Sequence, residues 1–387
     1  MLAIKLAYRN LIGAGLRTWL NVFVLSLSFL VIIWHRGIIN GWDRQARNDT
    51  MNQEIGGGQY WHENYDPYDP FTLTDAHGII HEKLQSDDNY APVLVAQATI
   101  YPGGRVQSVL LKGIEPAQKV LTIPTEYLES DAVEIPVMLG SRMAENNKLK
   151  IGDFVTVRWR DANGTFDAAD AKVVHIFKTN VPMIDNGQMW VSLKRLQKIM
   201  QMDGEATMVV TSQDITSAQD LPHWLFKDYS ILLKEFDEMI KMKNVGGLVM
   251  WFVLLLLAWI AIFDTQVLSI FRRQKEIGTD IALGMTRGQV IRIFTIEGAM
   301  HGILAAILAA IYGAPLLYLQ AVKGMSMPEG TDDMGLVISD TIYPYYTIGL
   351  VVVTAMVVLI TTTIVSFLPT RRISKMNPTD AIRGKIQ

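Results

Sequence analysis

The sequence predicts an α-helical membrane protein with four transmembrane helices and an α+β domain inserted after the first of them. Three observations carry this. Four apolar stretches, 18–40, 245–271, 291–318 and 347–368, are each long enough for the roughly 20 helical residues that cross a hydrocarbon core. The basic residues collect in alternate connections, on one side of the four stretches. The long 41–244 segment reads differently, as short β-like runs broken by Gly, Pro, Asn and Asp with helical patches between them.

Composition narrows the function classes. Half of the 387 residues are hydrophobic and the formal net charge is −3, so neither a nucleic-acid partner nor a disordered acidic tail is suggested. Cysteine is absent, which excludes disulfides and thiolate metal ligands. Lys5, Arg9 and Arg17 precede the first apolar stretch, as they would in a signal peptide. That stretch is long for a signal peptide and no small-x-small cleavage site follows it, so a spanning helix is expected. The segments 1–17, 272–290 and 369–387 carry clusters of Lys and Arg, whereas the 319–346 loop sets Lys323 against Glu329, Asp332, Asp333 and Asp340. By the positive-inside rule both termini and the 272–290 connection are cytoplasmic, and 41–244 lies outside.

In the outside segment, "APVLVAQATIY", "VQSVLLKGI", "DFVTVRW", "KVVHIF" and "ATMVVT" predict strands, and "LGSRMAENNKL" and "SLKRLQKIMQ" predict helices, together an α+β domain of two lobes. Apolar positions keep helical spacing on both sides of the membrane junctions: Ile38, Ile39, Trp42 and Ala46 after the first stretch, and Leu225 to Ile240 before the second. Two such helices make either a rigid stalk or ordinary docked surface helices. In the third stretch Gly298, Gly302, Ala306 and Ala310 recur every four residues, a row of small residues that suits close helix packing.

The connection 272–290 stands out. Ile277, Ile281 and Met285 fall four apart with Arg272, Arg273, Lys275, Glu276, Asp280 and Arg287 around them, which predicts a short amphipathic helix at the membrane surface. Gly278, Gly284 and Gly288 weaken it as a free helix and suit close backbone approach to another body. A solvated basic loop would explain the arginines but not the helical phase of the apolar positions.

"RRQKEIG" with "IALG" resembles the Glu-Ile-Gly…Ala-Leu-Gly segment of the FtsX-like permeases of ABC systems, the group containing the macrolide exporter and the lipoprotein-releasing complex. "LAYRNLIGAGLRTWL" and "PTRRISKMNPTDAIR" are similar to that family's amino- and carboxy-terminal segments. "EIPVMLGSRMAENNKLKIGDFVTV" with "VVHIFKTNVPMIDNGQMWVSLKRLQKIM" resembles its MacB-like periplasmic core domain, more the lipoprotein-releasing version than the exporter. The resemblance implies a permease of the bacterial inner membrane whose large periplasmic domain follows the first helix. It also implies that 272–290 is a coupling helix seated on a dimer of cytoplasmic ABC ATPases, which would hold the ATP and Mg. A second permease, identical or homologous, and a periplasmic carrier or adaptor complete the implied partners. Glu276, Ile277, Gly278, Ala282, Leu283 and Gly284 match the coupling motif, with Ile281 and Arg287 beside them. Ile281 departs from the family, which often has Arg or Lys there. So does "RDANGTFDAADAK", short and polar where the carrier-recruiting relative has a longer apolar, Pro-containing hairpin; a second permease would then recruit the carrier.

The remaining candidate chemistry is sparse. No Gly-Lys-Ser/Thr occurs, so no Walker A loop can cradle phosphates and hydrolysis is expected in a separate subunit. His77 and His81, with Glu82, are spaced for one helix face, but without a third ligand a solvated helix is expected rather than a metal site. Glu297, His301 and Asp264 are ionisable groups in spans, read as structural pairs with a basic neighbour such as Arg272 or Arg292. Phe23, Leu27, Leu30 and Trp34 form one apolar stripe and Trp251, Leu255 and Trp259 another. The resemblance implies an acyl-chain cavity lined by these two helices, and plain lipid-facing stripes explain them equally. Three functions remain in competition: extraction of a lipid-anchored or amphipathic substrate, mechanical activation of an envelope enzyme without transport, and drug or peptide export.

Overall fold

The computed structural model describes residues 16–85, 88–129, 134–179, 182–213, 215, 219–326, 341–371 and 373. The amino-terminal motif through residue 15, most of the carboxy-terminal motif and the acidic residues of the 319–346 loop lie outside the described residues. The principal helices are α1 (Leu16–Thr50), α2 (Ser141–Asn147), α3 (Leu193–Met200), α4 (Lys234–Arg272), α5 (Gln274–Ala282), α6 (Arg287–Lys323) and α7 (Ile348–Thr370). Two compact units result, one of residues 1–42, 240–325 and 342–387 and one of 43–239 with 326–341.

In the first unit, four helices among the described residues are long and apolar enough to cross a membrane. Their shared core is set by helical spacing. Val22, Leu25, Phe29 and Ile32 recur on one face of α1 and meet Leu255 and Ile262 of α4, Ala305 and Ala309 of α6, and Val358 and Val365 of α7. Lipid tails are as apolar as these side chains, so burial alone does not drive the helices together. Two other forces act here. One is interhelical hydrogen bonding: Asn21 donates to Thr265 at 2.5 Å, and the Ser26 and Tyr312 hydroxyls lie 3.0 Å apart. The other is close approach at glycine. A Cβ on Gly298 would lie 2.0 Å from Ser366 Oγ, and one on Gly302 2.8 Å from Thr362 Oγ1, so these two glycines let α6 press on α7.

The small-residue row does not continue as the four-residue spacing suggests. Ala306 is half-buried and Ala310 exposed, while the buried positions are Gly298, Gly302, Ala305, Ala309 and Gly313. A helix turns once in 3.6 residues, so a strict four-residue row drifts about 40° per step around the axis and leaves the interface. Sequence reading also passed over Gly37 and Gly41. A Cβ on Gly37 would lie 2.0 Å from the Tyr346 ring, and one on Gly41 2.2 Å from the Tyr343 carbonyl oxygen, where the chain entering α7 crosses α1. Their four-residue spacing was the available signal.

Among the described residues the second unit is built on one large sheet, with a separate two-stranded one, rather than on two lobes. Its strands are β1 (Gly58–His62), β2 (Gly78–Ile79), β3 (Tyr90–Ile100), β4 (Gln107–Ile114), β5 (Ile135–Gly140), β6 (Phe154–Arg160), β7 (Phe166–Phe177), β8 (Gln188–Ser192), β9 (Glu205–Ala206), β10 (Met208–Thr211) and β11 (Trp224–Asp228). Nine of them run in the order β11-β1-β10-β3-β4-β8-β5-β7-β6, and β3 also pairs with β6. That last pairing, Ala98 to Ile100 against Trp159 to Val157, closes β3, β4, β8, β5, β7 and β6 into a ring. The long strand β3 joins the ring to β10, β1 and β11, which is why separate lobes do not form.

Period-two alternation fills both faces of β3. Leu94, Ala96, Ala98 and Ile100 point into the ring with Val137, Leu139, Val157 and Val191. Ala91, Val93 and Val95 face the other way, against Met138, Trp190 and Leu128. Helix α3, capped by Ser192, lays Leu193, Leu196 and Met200 on the ring's core. The expected helix at His77–Glu82 is absent. Gly78–Ile79 pairs as a strand with β9, which brings the His77 ring to the Glu205 carboxylate. No group of three or more His, Cys, Asp or Glu that could hold a metal ion occurs among the described residues.

Candidate coupling site

The bend between α4 and α6 is built from local signals. Helix α5 ends because Gly284 takes a left-handed conformation, φ +103°. The Gly284 N–H donates to Ile281 O at 3.1 Å and Met285 N–H to Asp280 O at 3.0 Å, the paired bonds of a glycine-terminated helix. Two residues later Thr286 starts α6 with a reciprocal cap, its hydroxyl accepting from Gln289 N at 3.3 Å while Gln289 Oε1 accepts from Thr286 N at 2.9 Å. Arg287 and Gly288 therefore belong to the first turn of α6, and α5 covers nine residues of the 272–290 segment.

The apolar stripe of α5 faces its own chain. Ile277 is 1% exposed and packs with Ile270, Val290, Phe294 and Ile373, with Ile281 and Met285 against the same cluster. Gly278 is buried beside it. These residues dock α5; they do not present a surface. Ile281 is part of this internal contact. The exposed side holds Lys275, Glu276, Thr279, Ala282, Leu283, Gly284 and Arg287, and Leu283 at the turn is 81% exposed. A Cβ on Gly284 or Gly288 would meet nothing within 4 Å, so neither glycine is needed for close approach inside the chain. The motif thus divides into an inward anchor of Ile277, Gly278 and Ile281 and an outward tip around Leu283–Gly284.

Two buried polar groups stand behind the tip. Glu297, 5% exposed on α6, accepts from Arg273 Nη1 at 3.0 Å, so Arg273 is one of its partners. His301, also buried, lies with Nδ1 2.9 Å from the Glu297 carbonyl oxygen one turn earlier. Asp264 is exposed.

The apolar stripes named for a substrate cavity are placed separately. Phe23 and Leu27 are exposed, and the Phe23 ring stacks on Tyr312 of α6 at 6.4 Å. Leu30 and Trp34 line a groove of about 500 Å³ with Leu316, Leu319, Gln320 and Lys323 of α6. Leu255 is buried in the helical core, with Trp251 and Trp259 half-buried around that core. Within one chain, therefore, the α1 stripe is shared with α6 rather than α4.

The chain thus combines four helices long and apolar enough to cross a membrane, a large domain inserted after the first, and a docked helix with an exposed tip between the second and third. Residues 248–378, about a third of the chain, match the family described as FtsX-like permease C-terminal, which together with the relatives below supports an ABC transporter permease subunit. It is 24% identical over 323 residues to the lipoprotein-releasing system transmembrane protein LolC of Xylella fastidiosa (strain 9a5c), covering 76% of this chain and 77% of that one. To the LolC of Neisseria meningitidis serogroup B it is 22% identical over 405 residues, covering 95% and 94%. An uncharacterized ABC transporter permease of Methanocaldococcus jannaschii, MJ1507, is 22% identical over 62% of this chain and 59% of that one.

Proposed function

We propose that this permease couples ATP hydrolysis by a separate cytoplasmic ATPase pair to movement of the inserted domain, and that its work is to lift a lipid-anchored or amphipathic substrate out of the inner membrane. The observation that carries the reading is the exposed Leu283–Gly284 turn, held on the chain by a buried apolar face and lying within the FtsX-like match. ATP and Mg reside in the partner, the termini and α5 face the cytoplasm, and the inserted domain faces the periplasm. A second permease, identical or homologous, completes the assembly. The similarity to chains named as lipoprotein-releasing supports a lipid-anchored substrate.

The hairpin between β6 and β7 bears on carrier recruitment. Its turn is five residues, 161–165, closed by Asp161 Oδ1 accepting from Asn163 N at 3.0 Å and Thr165 N at 2.8 Å. So tight and polar a turn offers no apolar arm, and recruitment of a periplasmic carrier falls to the second permease.

The test uses the complex with its ATPase in proteoliposomes holding a triacylated lipopeptide. ATP and Mg are expected to release the lipopeptide into the aqueous phase, and a non-hydrolysable nucleotide is not. Hydrolysis with no release of any acylated probe would instead favour a signalling device.

A further inference from the structure

We infer that Arg273 is the joint through which displacement of α5 reaches the third spanning helix, an inference that rests on the coupling function proposed above. Arg273 stands between α4, which ends at Arg272, and α5, which begins at Gln274. Its backbone leaves helical geometry, φ −102° and ψ 19°, so the two helices are not one rigid rod at this point. Its side chain closes the gap. Nε donates to Glu276 Oε2 at 2.6 Å, on α5, and Nη1 donates to Glu297 Oε2 at 3.0 Å, on α6. The guanidinium carbon lies 4.8 Å over the Phe294 ring, which fixes the plane of the fork.

The other contacts of α5 differ in kind. Ile277, Ile281 and Met285 rest on apolar neighbours, and dispersion contacts are non-directional, so they resist separation better than sliding. A charge-assisted fork fixes distance and direction together. Planar guanidinium presents its donors along diverging directions and serves two carboxylates at once, which an ammonium on a flexible stem does less well. Glu297 is buried, and a charge-assisted hydrogen bond to a buried carboxylate is costly to break, so the pair resists opening. Next along α6, Gly298 is pressed against Ser366, so movement delivered at Glu297 enters a helix already locked to α7. Arg273 is thus a positioning residue: its side chain bridges α5 and α6, and it acts by making the two move as one body.

The experiment uses the intact complex with its ATPase in proteoliposomes. Cysteine is absent from the chain, so Lys275→Cys and Ile303→Cys, both at exposed positions, carry its only pair of spin labels, the chain being labelled before assembly with unlabelled partners. In the parent the label separation is expected to be the same in the nucleotide-free and vanadate-trapped states. In Arg273→Ala and in Glu297→Gln, a near-isostere that keeps the fold, trapping is expected to shift or broaden it. Stimulation of ATP hydrolysis by the triacylated lipopeptide should fall by about two- to thirtyfold, with basal hydrolysis retained. Arg273→Lys should recover part of the stimulation, and the double variant should be no worse than the more severe single one. Parental stimulation and a parental label separation in both single variants would overturn the joint while leaving the coupling function standing. A parent that shows no stimulation would overturn both.

Discussion

Gly284→Trp is expected to reduce lipopeptide-stimulated ATP hydrolysis about tenfold or more, a loss of at least ~1.4 kcal/mol of coupling. The site is open within the chain, since a Cβ there meets nothing within 4 Å, so the indole displaces no neighbour of its own. What it would obstruct, on the proposed coupling function, is the seat of the tip on the ATPase. The left-handed φ of +103° adds a backbone cost, about 1–2 kcal/mol for any L side chain. Gly284→Ala carries that cost without the bulk and separates the two effects. Leu283→Asp probes the tip with no strain, and its side chain is 81% exposed, so the fold should tolerate it. The expected order of damage is Trp at 284 and Asp at 283 first, with Ala at 284 well behind. Equal damage from Ala and Trp would locate the effect in the turn's conformation rather than in a docked surface. Hydrolysis assays on the reconstituted complex supply the measurement.

Gly298→Ala is expected to destabilise the helical unit by about 1–3 kcal/mol, the usual cost of forcing a methyl group into a filled contact. The added Cβ would lie 2.0 Å from Ser366 Oγ and 2.3 Å from Ser366 Cβ. A serine Cβ is fixed to its backbone, so α7 itself must give way. Ser366→Gly in the same chain removes both clashing atoms and should restore part of the loss. Restoration is partial because glycine inside a helix costs about 1 kcal/mol. Ala310→Val, at an exposed position of the same four-residue row, should be neutral. Denaturant unfolding in detergent reads all three. A Gly298→Ala protein as stable as the parent would mean that α6 and α7 do not meet here.

The two units differ in how much of them could be read from sequence. A run of some 20 apolar residues leaves few alternatives to a spanning helix, and the cap and glycine signals at Gly284, Thr286 and Gln289 are local. Five of the strands, β3, β4, β6, β7 and β10, were readable for the same reason, since the apolar run of β3 or the alternation of β6 needs no knowledge of a partner, whereas β1, β5, β8 and β11 carried no such signal. Ring closure was not readable. It depends on Ile100 meeting Val157, and on parallel pairs such as Leu111 with Met189, which are specified only by the packed interior. At the coupling site, Ile277, Ile281 and Met285 gave the helical phase but not the direction in which it faces. Apolar residues beside a membrane suit a partner, a bilayer or the chain itself, and Ile270, Val290 and Phe294 decide for the last. Arg273 was one of several basic residues near Glu297 in sequence. Only the break between α4 and α5 turns it toward that carboxylate.

The decisive measurement is photo-crosslinking from a benzoyl-phenylalanine placed at position 283 in cells, with the adduct identified by mass spectrometry. A nucleotide-binding subunit captured from position 283, and not from the exposed Ile79 of the inserted domain, is the expected result. Capture of periplasmic proteins from 283, or of the nucleotide-binding subunit from 79, would contradict it.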